Sequence, residues 1–287
     1  MKLNKKHKIL IVGLGLLGGS YAKALSKNGY EVTAITRDQS SVDYALEQGM
    51  IKRGAAFVDE ELCAEADIVI FALYPHVFEE WIRENQQLLR RGAILTDVTG
   101  VKSCIVEKIQ KMLRPDLEFI AAHPMAGRER SGVENSDDSI FRGANYVVTP
   151  TDANTQDAIE LCEDLGWKLG FARVSRISPE EHDEMIAFVS QLTHCIAISL
   201  MTCQPTELPL EDYTGDSFRD LTRIARMNDE MWSELFLLNK DALLEQMSLF
   251  QDELSKLKIL LREGNREGLQ EMMRKSTARR ALFDKKV

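Results

Sequence analysis

The turn Gly13-Leu14-Gly15-Leu16-Leu17-Gly18 is the first segment of the chain whose residue types could do chemistry. An apolar run (residues 8–12) precedes it and an amphipathic stretch (16–27) follows, the strand–turn–helix context that makes a GxGxxG pattern informative. In that context Gly13 permits a tight turn, Gly15 lets the backbone approach a pyrophosphate, and Gly18 lets helix and strand pack closely. Free N–H groups at the helix start, around Leu16 and Leu17, and the positive end of the helix dipole then hold the phosphates. The plain alternative is a strand-to-helix turn with no ligand.

The next strand ends Ile35-Thr36-Arg37-Asp38. A site for NAD places an acid there for the ribose 2′-OH, whereas a site for NADP offers a small polar residue and an arginine. Thr36 stands where the acid is expected and Arg37 follows, which favours NADP over NAD. Asp38 is the competing reading, since a shift of one residue restores an acid. Leu73 and Pro75, in a loop at the end of a later strand, line the cofactor pocket by contact, and His76 beside them lies close to the nicotinamide path. His123, in His123-Pro124-Met125-Ala126-Gly127, falls just past a strand end on the crevice side, where its imidazole can act as general base near neutral pH. Arg223 offers a planar guanidinium to a carboxylate. Asp220, three residues earlier, shares a helix face with it and could orient it.

The elements that must position these residues alternate in the first half. Strands are expected at 8–12, 31–36, 67–73, 93–97, 118–122, 144–148 and 168–174. Helices are expected at 16–27, 40–48, 77–89, 101–113 and 155–165. That alternation implies a parallel sheet covered by helices on both faces. Ser178-Pro179-Glu180-Glu181 is a helix start, and one long apolar helix runs from it to residue 203, after which strand signals vanish. The expected fold is therefore α/β, a doubly wound Rossmann-type sheet over residues 1–174, followed by an all-α domain over 175–287 for substrate binding and dimerisation.

Composition sets the bounds. The 287 residues suffice for two cores, and 44% apolar with 28% charged residues is an ordinary soluble composition. A net charge of −9 argues against nucleic acid as a partner and requires an anionic substrate to meet its own gathered cations. No apolar run reaches the roughly 20 residues of a membrane span, and the basic N-terminus leads into a strand without a signal-peptide pattern. The five cysteines, odd in number and without a CxxC pair, favour reduced thiols in a cytoplasm. No His/Cys/Asp/Glu cluster has metal-ligand spacing, so no metal is expected.

Three segments, taken with the glycine turn, resemble the prephenate/arogenate dehydrogenase family of tyrosine biosynthesis. They are Asp97-Val98-Thr99-Gly100-Val101-Lys102, the HPMAG motif at His123 with Glu129 and Ser131-Gly132 after it, and Phe218-Arg219-Asp220-Leu221-Thr222-Arg223 with Trp232. The resemblance runs in unchanged order from the first strand past Trp232. It implies NAD(P)-dependent oxidative decarboxylation of prephenate to 4-hydroxyphenylpyruvate, or of arogenate directly to tyrosine. The family's reaction takes a hydride from the ring carbon bearing the 4-hydroxyl and releases the ring carboxylate, and aromatisation drives it. The resemblance implies that His123 is the base, that Arg223 binds a substrate carboxylate, and that Glu129 belongs to the active-site polar network. His194 falls where the family commonly has a histidine near the substrate side chain; a polar residue satisfied in a helix core is the other reading. Gln191 stands where relatives often carry a further histidine, and its amide can still donate a hydrogen bond. A homodimer through the helical domain is also expected.

Two departures stand out. Many relatives carry a serine before Val-Lys, touching both the histidine and the substrate; Gly100 occupies that place, so the Thr99 hydroxyl or a water substitutes, or the contact is lost. The chain also ends at Val287 in a charged helix, and feedback through an appended regulatory domain is not expected. Lys102 is read as structural or near the cofactor, and His7 and His182 as solvent-facing. A 3-hydroxyacid dehydrogenase or pyrroline-carboxylate reductase shares the two-domain plan but leaves HPMAG and FRDLTR unexplained. A non-catalytic NADP-binding regulator requires His123 and Arg223 to be incidental.

Overall fold

The computed structural model describes residues 1–128, 130–203 and 209–284. Strands and helices alternate from the start: β1 (Lys8–Val12), α1 (Leu16–Lys27), β2 (Glu31–Ile35), α2 (Gln39–Glu47), β3 (Arg53–Ala55), α3 (Glu60–Glu65), β4 (Ile68–Phe71), α4 (Pro75–Asn85), β5 (Ile94–Asp97), α5 (Ser103–Met112) and β6 (Glu118–Phe119). The six strands form one parallel sheet in the order β3-β2-β1-β4-β5-β6. Because side chains alternate across a strand, β1 and β4 feed two cores. Ile9, Ile11, Ile68 and Ile70 join Tyr21 and Leu25 on one face, while Leu10, Val12, Val69 and Phe71 join Phe78 and Trp81 on the other. The strand order reverses between β1 and β4, and the carboxyl ends of such neighbours are where these sheets bind ligands.

Residues 118–122 are not one strand. β6 closes the parallel sheet, and after Ile120 the chain starts a second sheet with β7 (Ala121–Met125), β8 (Asn145–Thr149) and, beyond α6 (Gln156–Leu169), β9 (Arg173–Arg176). β7 runs antiparallel to β8, and β8 parallel to β9. His123 therefore sits inside β7, opposite Val147, rather than past a strand end. The strand expected over 168–174 begins later, because α6 continues to Leu169 and closes on Gly170 in the left-handed region at φ 93°.

The helical part begins at Ser178, whose hydroxyl accepts the Glu181 N–H while the Glu181 carboxylate accepts the Ser178 N–H. From there α7 (Pro179–Ile186), a π-helical turn (Ala187–Gln191) and α8 (Leu192–Thr202) run on continuously. An 18-residue stretch of this 24-residue helix has a mean hydropathy of 1.6, so by length and composition alone the helix is long and apolar enough to cross a membrane, a longer apolar stretch than the sequence led one to expect. α9 (Asp216–Thr222), a 3-10 turn (Arg223–Ala225) and α10 (Asp229–Leu238) follow. Residues Met1–Asn239 make one compact unit, so α7 to α10 belong with the strands although the sequence changes character at 174–175. Lys240–Val287 is a second unit, in which α11 (Lys240–Arg262) packs on α12 (Arg266–Arg280). Gly264, at φ 63°, makes the turn between them, and the Asn265 side chain caps α12.

Candidate active site

The glycine turn has the geometry a dinucleotide needs. Gly13 adopts φ 102°, and a Cβ there would lie 2.4 Å from the Ala72 carbonyl oxygen and 2.9 Å from a Leu73 methyl. A Cβ on Gly18 would lie 1.9 Å from the Gly13 carbonyl oxygen, so helix and turn can approach only without one. Gly15 is different: a Cβ there would meet nothing within 4 Å, which leaves open space beside the backbone. α1 starts with no side-chain cap and no acid in its first turn, so the amides around Leu16 and Leu17 meet no competing carboxylate. An uncapped helix start beside an open glycine fits a pyrophosphate. Leu73 lies against Gly13, and Pro75 is buried as the first residue of α4.

Thr36 is half-buried just beyond β2 and Arg37 is exposed. The Asp38 carboxylate caps α2, accepting the Ser40 and Ser41 N–H groups at 3.3 and 3.2 Å and both hydroxyls at 2.7 and 2.8 Å. The two serine hydroxyls are the main reason its carboxyl sits below the usual range. Asp38 is thus committed to its own helix.

His123 is reached through a buried polar network. Asp97, at the carboxyl end of β5, accepts the Ala122 N–H at 3.1 Å, which lays β7 across the end of the parallel sheet. Its other oxygen accepts Lys102 Nζ at 2.7 Å, the Thr99 N–H at 3.1 Å and the Thr99 hydroxyl. His123 Nε2 faces Gly100: a Cβ on that glycine would lie 3.9 Å from it and 3.5 Å from a Leu235 methyl. His123 Nδ1 lies 2.8 Å from His182 Nε2, and His182 Nδ1 lies 2.8 Å from Asp183 Oδ1. The Asp183 carboxylate also accepts the backbone N–H groups of Lys102 and Ser103, each at 2.8 Å.

Burial holds the His123 imidazole well below its ordinary range, with the nearby charges of His182 and Lys102 adding to the effect. His182 is also lowered, because burial outweighs the bond to Asp183. Burial works against the Asp183 carboxylate, yet the His182 and Ser103 hydrogen bonds keep it below the usual range. Burial lowers Lys102 as well, opposed by Asp97. His123 is thus a neutral base at physiological pH.

Other candidates are distributed differently. His194, on α8, donates from Nδ1 to the Ser190 carbonyl at 2.9 Å and stacks on Trp232, with ring centroids 3.7 Å apart. α8 packs against α9 and the 3-10 turn that carries Arg223, so His194 and Arg223 belong to neighbouring elements. Arg223 and Asp220 are both exposed there. Thr99 and Gln191 are both engaged inside the fold. The Thr99 hydroxyl is buried, donating to Asp97 and to the Val101 carbonyl at 3.0 Å. The Gln191 amide is buried too, donating to the Leu235 carbonyl at 3.0 Å and accepting from Asn239 at 2.8 Å; it ties α10 to the π turn. Glu129 lies outside the described residues. His76 is bound to Glu234, with its N–H at 2.8 Å and Nδ1 at 2.9 Å.

His182 and Asp183 were missed from the sequence, His182 having been read as solvent-facing; it has no exposed surface. The signal was available in phase. With the cap at Ser178, the inward positions of α7 are Pro179, His182, Asp183 and Ile186, the spacing of one buried helix face.

A reversed parallel sheet, an open glycine turn at its switch point and a half-buried neutral histidine at its carboxyl edge together define a dinucleotide-dependent oxidoreductase. The chain belongs to the prephenate dehydrogenase family. Residues 21–175 match the family's nucleotide-binding domain and residues 178–275 its dimerization domain. A prephenate dehydrogenase of Bacillus subtilis is 32% identical over 275 residues, covering 92% of this chain and 72% of that protein. The crystal structure of an Aquifex aeolicus prephenate dehydrogenase with hydroxyphenyl propionate and NAD+ superposes with a TM-score of 0.90 at 30% identity, over 99% of this chain and 100% of that one. A Synechocystis arogenate dehydrogenase superposes with a TM-score of 0.84 at 25% identity, over 96% of this chain and 100% of that one.

Proposed function

We infer that the protein converts prephenate to 4-hydroxyphenylpyruvate and carbon dioxide, using NADP in preference to NAD. The observation that carries the reaction is His123 Nε2, a neutral nitrogen facing Gly100 at the carboxyl edge of the sheet. A bound nicotinamide supplies the hydride acceptor. His123 takes the hydroxyl proton as the ring carbon that bears it gives up hydride. The bond to the ring carboxylate then breaks and carbon dioxide leaves, its electron pair enters the ring, the ring oxygen recovers the proton from His123 to become the phenol, and aromatisation makes the step irreversible. Arg223 holds a substrate carboxylate in a two-point hydrogen bond, and His194, fixed by Ser190 and Trp232, lies toward the substrate side chain.

NADP is favoured because Asp38, the one acid near the end of β2, is occupied in capping α2 while exposed Arg37 can meet a 2′-phosphate. We divide the labour at 174–175, where the match to a nucleotide-binding domain gives way to the match to a dimerization domain. A homodimer through the second part is supported by that match and by exposed Phe188, Val189 and Met201 on its long helix. We infer a cytoplasmic location, which the unpaired state of its cysteines supports.

Steady-state assays with prephenate and arogenate, each with NADP and NAD, test the assignment. Turnover of prephenate with NADP is expected; a clear preference for arogenate moves the reading to tyrosine formation, and activity with neither overturns it. His123→Ala should abolish turnover while leaving cofactor binding intact, and Arg223→Ala should chiefly raise KM.

A further inference from the structure

We propose that Asp183 and His182 form a positioning relay that presents the Nε2 lone pair of His123 to the substrate hydroxyl and balances the charge His123 gains on taking its proton. The proposal rests on the functional reading above for its reaction, and on the geometry of α7 for its form.

Hydrogen-bond complementarity fixes the protons along the chain. A carboxylate only accepts, so the 2.8 Å contact between Asp183 Oδ1 and His182 Nδ1 places a hydrogen on that nitrogen. Neutral His182 then has a lone pair on Nε2, and the 2.8 Å contact to His123 Nδ1 requires the hydrogen to be on His123. Neutral His123 is left with its lone pair on Nε2, the nitrogen that faces Gly100. No other arrangement of protons satisfies both contacts with both rings neutral.

The far end of the relay is held firmly. Asp183 accepts two backbone N–H groups at the start of α5, and its carbonyl accepts the Asn239 amide at 2.9 Å. Asp183 is 6% exposed and His182 not at all, so water competes little for either side chain. The charges facing the two rings come from three elements: Asp97 at the end of β5, Lys102 before α5, and Asp183 on α7, with the Cys104 thiol raised by its own burial and by Asp183. Asp97 and Lys102 neutralise each other, which leaves the Asp183 charge to answer a proton on His123. Capping α5 would explain Asp183 alone; it does not require an imidazole between that carboxylate and the catalytic ring.

The test uses the full-length enzyme with its preferred cofactor and substrate. His182→Leu should lower kcat about 100-fold, the scale of a mispositioned general base, with both KM values within about threefold of the parent. His182→Gln can accept the His123 Nδ1–H through its amide oxygen and should recover about tenfold of that loss. Asp183→Asn should lower kcat and move the acid limb of the kcat–pH profile to lower pH, because the negative charge that favours the imidazolium is gone. Nitrogen-15 NMR of the histidines reads the tautomer without turnover: His123 should be protonated on Nδ1 in the parent and mixed in His182→Leu. The proposal is overturned if His182→Leu keeps kcat within threefold, if Gln is no better than Leu, if the acid limb of Asp183→Asn does not move, or if losses only track falling thermal stability. A parent inactive on both substrates fails the functional reading instead, and the tautomer measurement then still decides the relay.

Discussion

Asp97 and Lys102 form a 2.7 Å ion pair in which neither side chain exposes any surface, and the same carboxylate fixes the residue before His123 through the Ala122 N–H. Removing one member of such a pair leaves the other charged and buried, at a cost of about 3–5 kcal/mol. Lys102→Met should therefore lower the midpoint of thermal unfolding by about 6–15 °C. Calorimetry checks this, and a fall of under 2 °C would show that the pair is not held as described.

Gly18 and Gly15 of the turn should separate by experiment. Gly18→Ala places a methyl carbon 1.9 Å from the Gly13 carbonyl oxygen and should yield little folded protein. Gly15→Ala meets no protein atom within 4 Å, so its unfolding midpoint should stay near the parent's while the cofactor KM rises about tenfold or more, because the methyl fills the space beside the pyrophosphate. Circular dichroism melts and cofactor titrations read the two effects separately.

Arg37→Ala should raise the KM for NADP by about 10–100-fold, the range of one or two charge-assisted hydrogen bonds, and leave the KM for NAD within about twofold. Equal effects on both cofactors would remove Arg37 from the 2′-phosphate site. Asp38→Ala should act on stability instead, lowering the unfolding midpoint through the lost cap of α2.

Stability should fall as pH drops below about 6.5. His123 and His182 are lowered in the folded state, so in that range the unfolded chain binds protons that the native protein does not. Each contributes a slope of up to about 1.4 kcal/mol per pH unit, present from about pH 6.5 down to its folded value and absent above it. Asp183 is lowered too and keeps its charge through that window, its own contribution fading only below about pH 4. Urea unfolding at pH 5.0, 6.0 and 7.5 measures the trend. Catalysis should hold below pH 6.5 for the same reason, since the base stays unprotonated there.

Much of the nucleotide half was legible in the sequence because its signals are local. β1 and α1 fall where the apolar run and the glycine turn put them, and the capping box at Ser178 marks the start of the long helix. β3 was not legible, since Arg53-Gly54-Ala55 is too short to show a period and exists by pairing with β2. The break at Ile120 was hidden for a related reason: a continuous apolar run does not reveal that its two ends join different sheets. In the site, His123 stood out by its motif, whereas His182 looked like a polar residue in a first helical turn. Its meaning came from a contact 59 positions away in the chain, which no local pattern encodes. Thr99 and Gln191 looked available for a ligand, but each is engaged inside the fold: Thr99 by Asp97 and the Val101 carbonyl beside it, Gln191 by the Leu235 carbonyl and the Asn239 amide, 44 and 48 positions further on.

The π turn at Ala187–Gln191 acts as a rotational offset between two working ends of one helix. At 3.6 residues per turn, one surplus residue advances everything downstream by about 100°. The offset lets His182 face the base while Gln191 reaches α10 and His194 stacks on Trp232. A deletion of one residue between 187 and 190 would leave the helix intact and regular, yet would swing His194 off the indole by about a quarter of a turn. The spacing between the two histidines, twelve positions along one continuous helix, is thus set by a local excess of one residue and not by either side chain.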